Sequence, residues 1–167
     1  MAEFDLNRFL MAQERDYATA LAEMKNGAKL SHWIWYIFPQ QKGLGHSYNS
    51  RYYGLCGVEE AMAYWNHPVL KARLLEITNA VLSHAGKRDI FQIMGSGIDV
   101  KKFRSCMELF DKVAPNDVFQ KALTAFYPDK QKNDGITYSR CGQKFVTLYD
   151  FLCALKSGTK NGTNSKF

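Results

Sequence analysis

The sequence predicts an all-α fold, a single compact domain of about six or seven helices. Three observations carry that reading. Apolar side chains recur at steps of three and four along several stretches, the spacing that gathers them on one helix face. No long strand-like segments alternate with helical ones, as a parallel sheet requires, and no repeat of fixed period runs through the chain. Glycine and proline separate the helical stretches at intervals that suit short connections. With 167 residues the chain lies in the usual range of one domain, roughly 100 to 200 residues, enough to bury a core without staples. Its 46% hydrophobic and 23% charged residues match a globular chain and argue against disorder over most of the length.

In chain order, Asp5 is placed to cap a first helix that carries Leu6, Phe9, Leu10, Tyr17, Leu21 and Met24 inward, and Asn26-Gly27 offers a left-handed stop. Ser31 is placed to cap a short helix over residues 32–37, which ends there because Phe38 precedes Pro39 and is driven out of helical geometry. A turn over residues 41–45 and a polar, aromatic segment with Ser47, Arg51, Tyr52 and Tyr53 follow, closed by Gly54 and Gly57. Residues 58–65 read as another short helix. Pro68 opens the clearest amphipathic helix, whose Leu70, Leu74, Ile77 and Val81 share a face before Gly86. A short helix covers 89–94, Gly95-Ser96-Gly97 breaks it, and Asp99 is placed to cap a helix with Phe103, Met107 and Phe110 inward. Beyond Pro115, Asn116 opens a helix through Phe126, and Thr147 with Asp150 resembles a capping box for a last helix through Leu155. A small hairpin is expected within 136–146. The domain is expected to span 1–156, and the Gly, Thr, Asn and Lys of 157–167 supply no apolar surface and read as a disordered tail.

Several function classes drop out. No apolar run reaches the roughly 20 residues of a membrane span, and the first fifteen residues carry charges where a secretory signal needs an apolar stretch, so a cytoplasmic location without membrane contact is expected. Cys56, Cys106, Cys141 and Cys153 show no CxxC spacing and read as free thiols packed as small hydrophobes; only Cys106, two residues from Arg104, has a hint of an electropositive setting. His32, His46, His67 and His84 share no short ligand spacing, so neither a metal nor another cofactor is expected. The net charge of +6 favours anionic partners, whether nucleic acid, nucleotides or phosphorylated metabolites. The oligomeric state is not encoded in any pattern seen here.

Two stretches hold the candidate site. Ser31-His32-Trp33-Ile34-Trp35-Tyr36-Ile37-Phe38-Pro39-Gln40 gathers two of the chain's three tryptophans beside a histidine, and Gly43-Leu44-Gly45 follows as a turn. On a helix His32 and Tyr36 share a face, whereas Trp33 and Trp35 point apart, so one indole can belong to the core and the other to a pocket. His32 suits a general acid/base or a ligand hydrogen bond; the plainer alternative is an imidazole bonded to backbone. Gln40 and the glycine turn favour a pocket wall, and Ser47 and Arg51 just beyond are counted as ligand contacts. In the second stretch Asp99, Lys102 and Ser105 follow one another at steps of three, on one side of a helix whose N-terminus follows a Gly-Ser-Gly break that contains Ser96. The free N–H groups and dipole of such an end favour an anion, and Lys102 adds charge. The plainer alternative makes Asp99 only a cap and Lys102 a solvated cation. Arg104 is a further phosphate candidate.

These same stretches, with Tyr53-Gly54-Leu55, His67-Pro68-Val69-Leu70, Arg73-Leu74 and Met94-Gly95-Ser96, resemble the uncharacterised family catalogued as domain of unknown function 1810 over roughly residues 4–127. The resemblance implies a small helical protein; some members carry the label calpastatin, which nothing in this sequence supports. Where the family has Ser-Ser-Met-Thr-Leu-Phe, this chain has Ser105-Cys106-Met107-Glu108-Leu109-Phe110. A weaker similarity joins the stretch from His67-Pro68 through Gly95-Ser96-Gly97 to Met107-Glu108-Leu109 with NAD- and ADP-ribose-associated glycosidase domains, with Lys102-Phe103-Arg104 in place of their Asn-Leu-Gly.

The resulting expectation is a pocket for a nucleotide-like ligand of the ADP-ribose or NAD type, or another phosphorylated small molecule. Trp33 or Trp35 would form its wall, Ser96, Lys102 and the helix end would hold phosphate, and Asp99 or His32 would activate water for N-glycosidic hydrolysis. Two alternatives stay open. One is a module for single-stranded nucleic acid built on exposed aromatics and cations; the other is a protein-interaction domain with an exposed tryptophan patch.

Overall fold

Helix formers and helix stops alternate along the chain, and eight helices form among residues 4–128, the part that this computed structural model describes. They are α1 (Asn7–Asn26), α2 (Ile34–Ile37), α3 (Tyr48–Tyr52), α4 (Val58–Asn66), α5 (Pro68–Leu82), α6 (Ile90–Met94), α7 (Gly97–Val113) and α8 (Val118–Phe126). All fall within one compact unit, Met1–Asn133. The expected hairpin, last helix and tail lie outside the described residues. None of the described helices is long and apolar enough to cross a membrane.

Helix α3 falls where the sequence suggests only a polar, aromatic segment. Serine makes the difference: the Ser47 hydroxyl accepts from the backbone N–H of Ser50 at 3.2 Å and starts the turn. Other caps shift too. Ser31 does not cap α2, because its hydroxyl donates to Glu23, and α2 begins without a side-chain cap. Ser96, not Asp99, caps α7, accepting from the Asp99 N–H at 3.2 Å, which frees the Asp99 carboxylate for ion pairing. Asp117, one residue after Asn116, caps α8, and Asn116 itself takes the left-handed region at φ 65°. Asp5 accepts from the N–H of Asn7 at the start of α1. The expected stop holds: Gly27 ends α1 at φ 72°, and a Cβ there would lie 2.9 Å from the His84 ring.

The inward positions pack α1 against α2 and α5, α7 against α2, α4, α6 and α8, and α8 against α5. Their shared core is aromatic. Phe9 meets Tyr64 edge-on with ring centres 5.2 Å apart, and Phe38 meets Phe103 in the same way at 4.8 Å. Such pairs add about 0.5–1.5 kcal/mol beyond the area they bury. Cys106 is part of this core, and burial pushes its thiol up, which suits a filler and not a nucleophile.

Three buried polar knots fix how the helices meet. Arg8 of α1 pairs with Glu60 of α4 at 2.6 Å, and the second Glu60 oxygen accepts from the Cys56 N–H at 2.8 Å. Gln13 donates to the Tyr36 carbonyl at 2.7 Å and to the Tyr64 hydroxyl at 2.9 Å. Glu23, near the end of α1, gathers the chain that follows: its carboxylate accepts from the Leu30 N–H at 2.8 Å, the Ser31 N–H at 3.1 Å, the Trp33 Nε1 at 2.8 Å and the Ser31 hydroxyl. Burial raises the Glu23 carboxyl, but these hydrogen bonds prevail and hold it below its ordinary value. Residues 28–33 are thereby laid across the end of α1, where they meet α6 and α7.

Candidate functional site

The tryptophan stretch and the glycine-broken stretch, sixty residues apart in sequence, meet along the contact between α2 and α7. Phe38 against Phe103 forms the apolar base of that contact. Beside it, Lys102 lies with Nζ 4.5 Å from the centre of the Trp35 ring and 3.4 Å from the Asp99 carboxylate. Lys29, held by the Glu23 loop, completes the cluster from the other side: its Nζ is 2.8 Å from Asp99 and donates to the Ser31 carbonyl at 2.7 Å. The Lys29 main chain is fixed as well, with its N–H donating to the Ile93 carbonyl at 2.7 Å.

The electrostatic balance of this cluster is uneven. The side chains of Lys29 and Lys102 are only 6% and 11% exposed, and they share a single carboxylate that is 15% exposed. Two ammonium groups and one carboxylate leave one positive charge in excess at a place where water screens it poorly. A solvated Lys102, one of the plainer readings, is therefore corrected by the structure. Two neighbours in the tryptophan stretch carry unused hydrogen-bonding capacity. Among the described residues, buried Trp35 Nε1 has no hydrogen-bond partner, and Gln40, 1% exposed, has neither its Oε1 nor its Nε2 paired. Buried polar groups are nearly always paired, so an orphaned amide and an orphaned indole N–H point to a partner beyond the described residues.

The two indoles divide as their spacing implies. Trp33 is 1% exposed, bonds Glu23 through Nε1 and packs against Phe38, so it belongs to the core. Trp35 is half-buried and lies against the Lys102 ammonium. His32 is exposed and is neither buried nor held by a backbone hydrogen bond of its ring. It lines a cleft of about 110 Å³ with Asp16, Thr19, Ser31, Trp33 and Tyr36. Neither Asp99 nor Lys102 lines that cleft, so the two acid/base candidates face different surroundings. In it the Tyr36 hydroxyl donates to Asp16, which also pairs with Arg15. Burial and the Asp16 carboxylate push the Tyr36 phenol up to about 12.

The remaining expected contacts are spread out. Ser96 spends one lone pair on the α7 cap, and Ser105 sits half-buried farther along the same helix. Ser47 caps α3 and Arg51 stands exposed on it. Arg104 is occupied, bonded to Glu108 at 2.6 Å and stacked over Tyr127. No group of three or more histidine, cysteine or acidic side chains able to hold a metal occurs among the described residues. Sequence reasoning missed Lys29 and Glu23. The signal was present only as a lysine and a carboxylate flanking Gly27, and nothing local marks a lysine as buried.

A solved structure shares this architecture: the conserved hypothetical protein Rv1873 from Mycobacterium tuberculosis, 39% identical, with a TM-score of 0.71 over 75% of this chain and 89% of that one. Comparison with curated proteins returns no match. The model of the protein family of unknown function DUF1810 matches residues 3–139, which take in all eight helices and both halves of the lysine–aspartate cluster. Matched over that span, with a fold and a site drawn from the same residues, the chain belongs to the DUF1810 family.

Proposed function

We propose that the cluster of Lys29, Asp99, Lys102, Trp35 and Gln40 binds a phosphorylated, nucleotide-like small molecule of the ADP-ribose or NAD type. The observation that carries this reading is the uncompensated positive charge of two nearly buried lysines sharing one carboxylate. A phosphate completes that balance, and charge-assisted hydrogen bonds from ammonium to phosphate are among the stronger polar contacts. Asp99 keeps both lysines in place before the ligand arrives, which lowers the ordering cost of binding. The orphaned Trp35 Nε1 supplies a donor, and the Gln40 amide supplies both a donor and an acceptor. That pairing suits the hydroxyls of a ribose as well as a phosphate oxygen.

The reaction proposed at this site is hydrolysis of the N-glycosidic bond of NAD, in which water attacks the anomeric carbon, the carbon–nitrogen bond breaks with its electron pair going to nitrogen, nicotinamide leaves as a neutral base and the water proton passes to solvent. Asp99 is the residue assigned to orient that water, because His32 faces the separate cleft with Asp16 and Tyr36. Isothermal titration with ADP-ribose, NAD and inorganic phosphate tests binding. Heat is expected from at least one of these, and it should vanish in Lys102→Met. Silence from all three at millimolar concentration would remove the reading. Release of nicotinamide from NAD tests the reaction, and Asp99→Asn should abolish it while ADP-ribose still gives heat with that variant, which separates the role on water from the role in holding the lysines.

A further inference from the structure

We infer that the surface around α3 is a platform for single-stranded nucleic acid, distinct from the lysine–aspartate cluster. Tyr48 and Tyr52 are 71% and 44% exposed, yet their rings are stacked, with centres 5.6 Å apart and planes 10° from parallel. Each ring covers one face of the other, and Tyr48 is the more exposed of the two. The pair is anchored inward. Tyr52 meets Tyr53 edge-on at 4.9 Å, and Tyr53 packs on core Tyr36 at 5.0 Å.

The segment that carries the pair is held rigidly. Lys42 and Leu55 exchange a backbone hydrogen bond at 2.8 Å, Leu55 donates to the Gln40 carbonyl at 3.0 Å, and Ser47 caps the helix. At Gly54 a Cβ would lie 2.7 Å from the Ser50 carbonyl oxygen and 2.9 Å from the Lys42 Cα, both backbone atoms that cannot step aside. The rings are therefore displayed with little freedom left to lose when a ligand stacks on them.

Charge decides the class of partner. Between Glu23 and Glu59 the sequence contains no aspartate or glutamate. Lys42 and Arg51, both exposed on this segment, form no ion pair with any described residue. The carboxylate behind Tyr53 and Tyr36, that of Asp16, is paired with Arg15. Exposed stacked rings for bases and cations outside any ion pair for phosphates are together the chemistry of a single-strand surface. A protein partner would draw on aliphatic area, and here that is Leu44 alone.

The test is a fluorescence-anisotropy titration of the full chain with a labelled oligothymidylate. Saturable binding at low salt is expected, weakening with salt at a log–log slope of roughly −0.7 per phosphate contacted. Tyr48→Ala and Tyr52→Ala should each weaken it by at least about fivefold, as loss of one stacked base implies. The pair Tyr48→Phe and Tyr52→Phe should restore it, because stacking needs the ring and not the hydroxyl. Arg51→Gln should flatten the salt slope by about one contact. Thermal unfolding should be unchanged in all of these variants, since the altered groups are exposed. Absence of binding by the unaltered protein at low salt overturns the inference. So does binding that survives both alanine substitutions, or that is lost in Lys102→Met while the tyrosine variants retain it. Because Lys102→Met is expected to keep oligonucleotide binding, failure of the small-molecule reading leaves this outcome distinguishable.

Discussion

Glu23 is the residue whose removal should most clearly separate loop architecture from general packing. It is 8% exposed and its carboxylate receives four donors, of which Trp33 Nε1 is fully enclosed in the core. Glu23→Gln keeps the shape. Its single carbonyl oxygen can still accept the three N–H donors, and the Ser31 hydroxyl can turn to accept from the new amide, so only the charge assistance is lost. A cost of about 1–2 kcal/mol is expected from the difference between charged and neutral hydrogen bonds. Glu23→Leu removes every acceptor. The Leu30 and Ser31 amides lie near the surface and can recover water, but the Trp33 indole N–H cannot. One buried unpaired donor at about 1–3 kcal/mol, together with the loosened loop, gives an expected loss of about 3–4 kcal/mol. Urea unfolding followed by tryptophan fluorescence measures both. A leucine variant within about 0.5 kcal/mol of the parent, the ordinary scatter of surface substitutions, would refute the reasoning. The pH dependence has a definite sign. The Glu23 carboxyl is held below its unfolded value, so its stabilisation is fully present above that value and is lost as pH falls through the folded one. Glu23→Gln should therefore lose less stability than the parent between neutral pH and about pH 3.

Other expectations follow from the same geometry. Gln40→Leu replaces a buried amide that has no partner among the described residues with an apolar side chain of similar size; it should raise the stability of the free protein by about 1 kcal/mol and abolish any thermal shift produced by ADP-ribose or phosphate. Arg8→Met strands the buried Glu60 carboxylate, and chemical denaturation should show a loss of about 3 kcal/mol. Gly27→Ala combines a left-handed backbone at φ 72° with a Cβ 2.9 Å from the His84 ring, and the melting temperature should fall by an amount corresponding to at least about 2 kcal/mol. Lys29→Met should weaken phosphate-ligand binding in calorimetry as strongly as Lys102→Met, because both cations face one carboxylate.

Much of the helical layout was legible in the sequence because its signals are local. The steps of three and four along Leu70, Leu74, Ile77 and Val81, the proline at the start of α5 and the glycine after α1 each act within one or two turns of chain. The errors in capping were also local in kind but were resolved by distant partners. Ser31 is a good cap by type, yet Glu23, eight residues earlier, takes its hydroxyl. Asp99 is a good cap by type, yet two lysines take its carboxylate once Ser96 has satisfied the helix end. Helix α3 was hidden because five residues carry too little periodicity to register against a polar background.

Sequence alone thus determined the fold class, the inward faces of the long helices and the two stretches worth watching, since each depends on side-chain type and spacing. Only the tertiary structure decided which indole is core and which lies half-buried against Lys102, that Lys29 belongs with Lys102, and that Gln40 is buried with its amide unpaired among the described residues. Burial and pairing are properties of the space between segments. A lysine surrounded by loop residues reads the same in sequence whether it is hydrated or pressed against a carboxylate from seventy residues away, and only the packing of α2 and α7 separates the two.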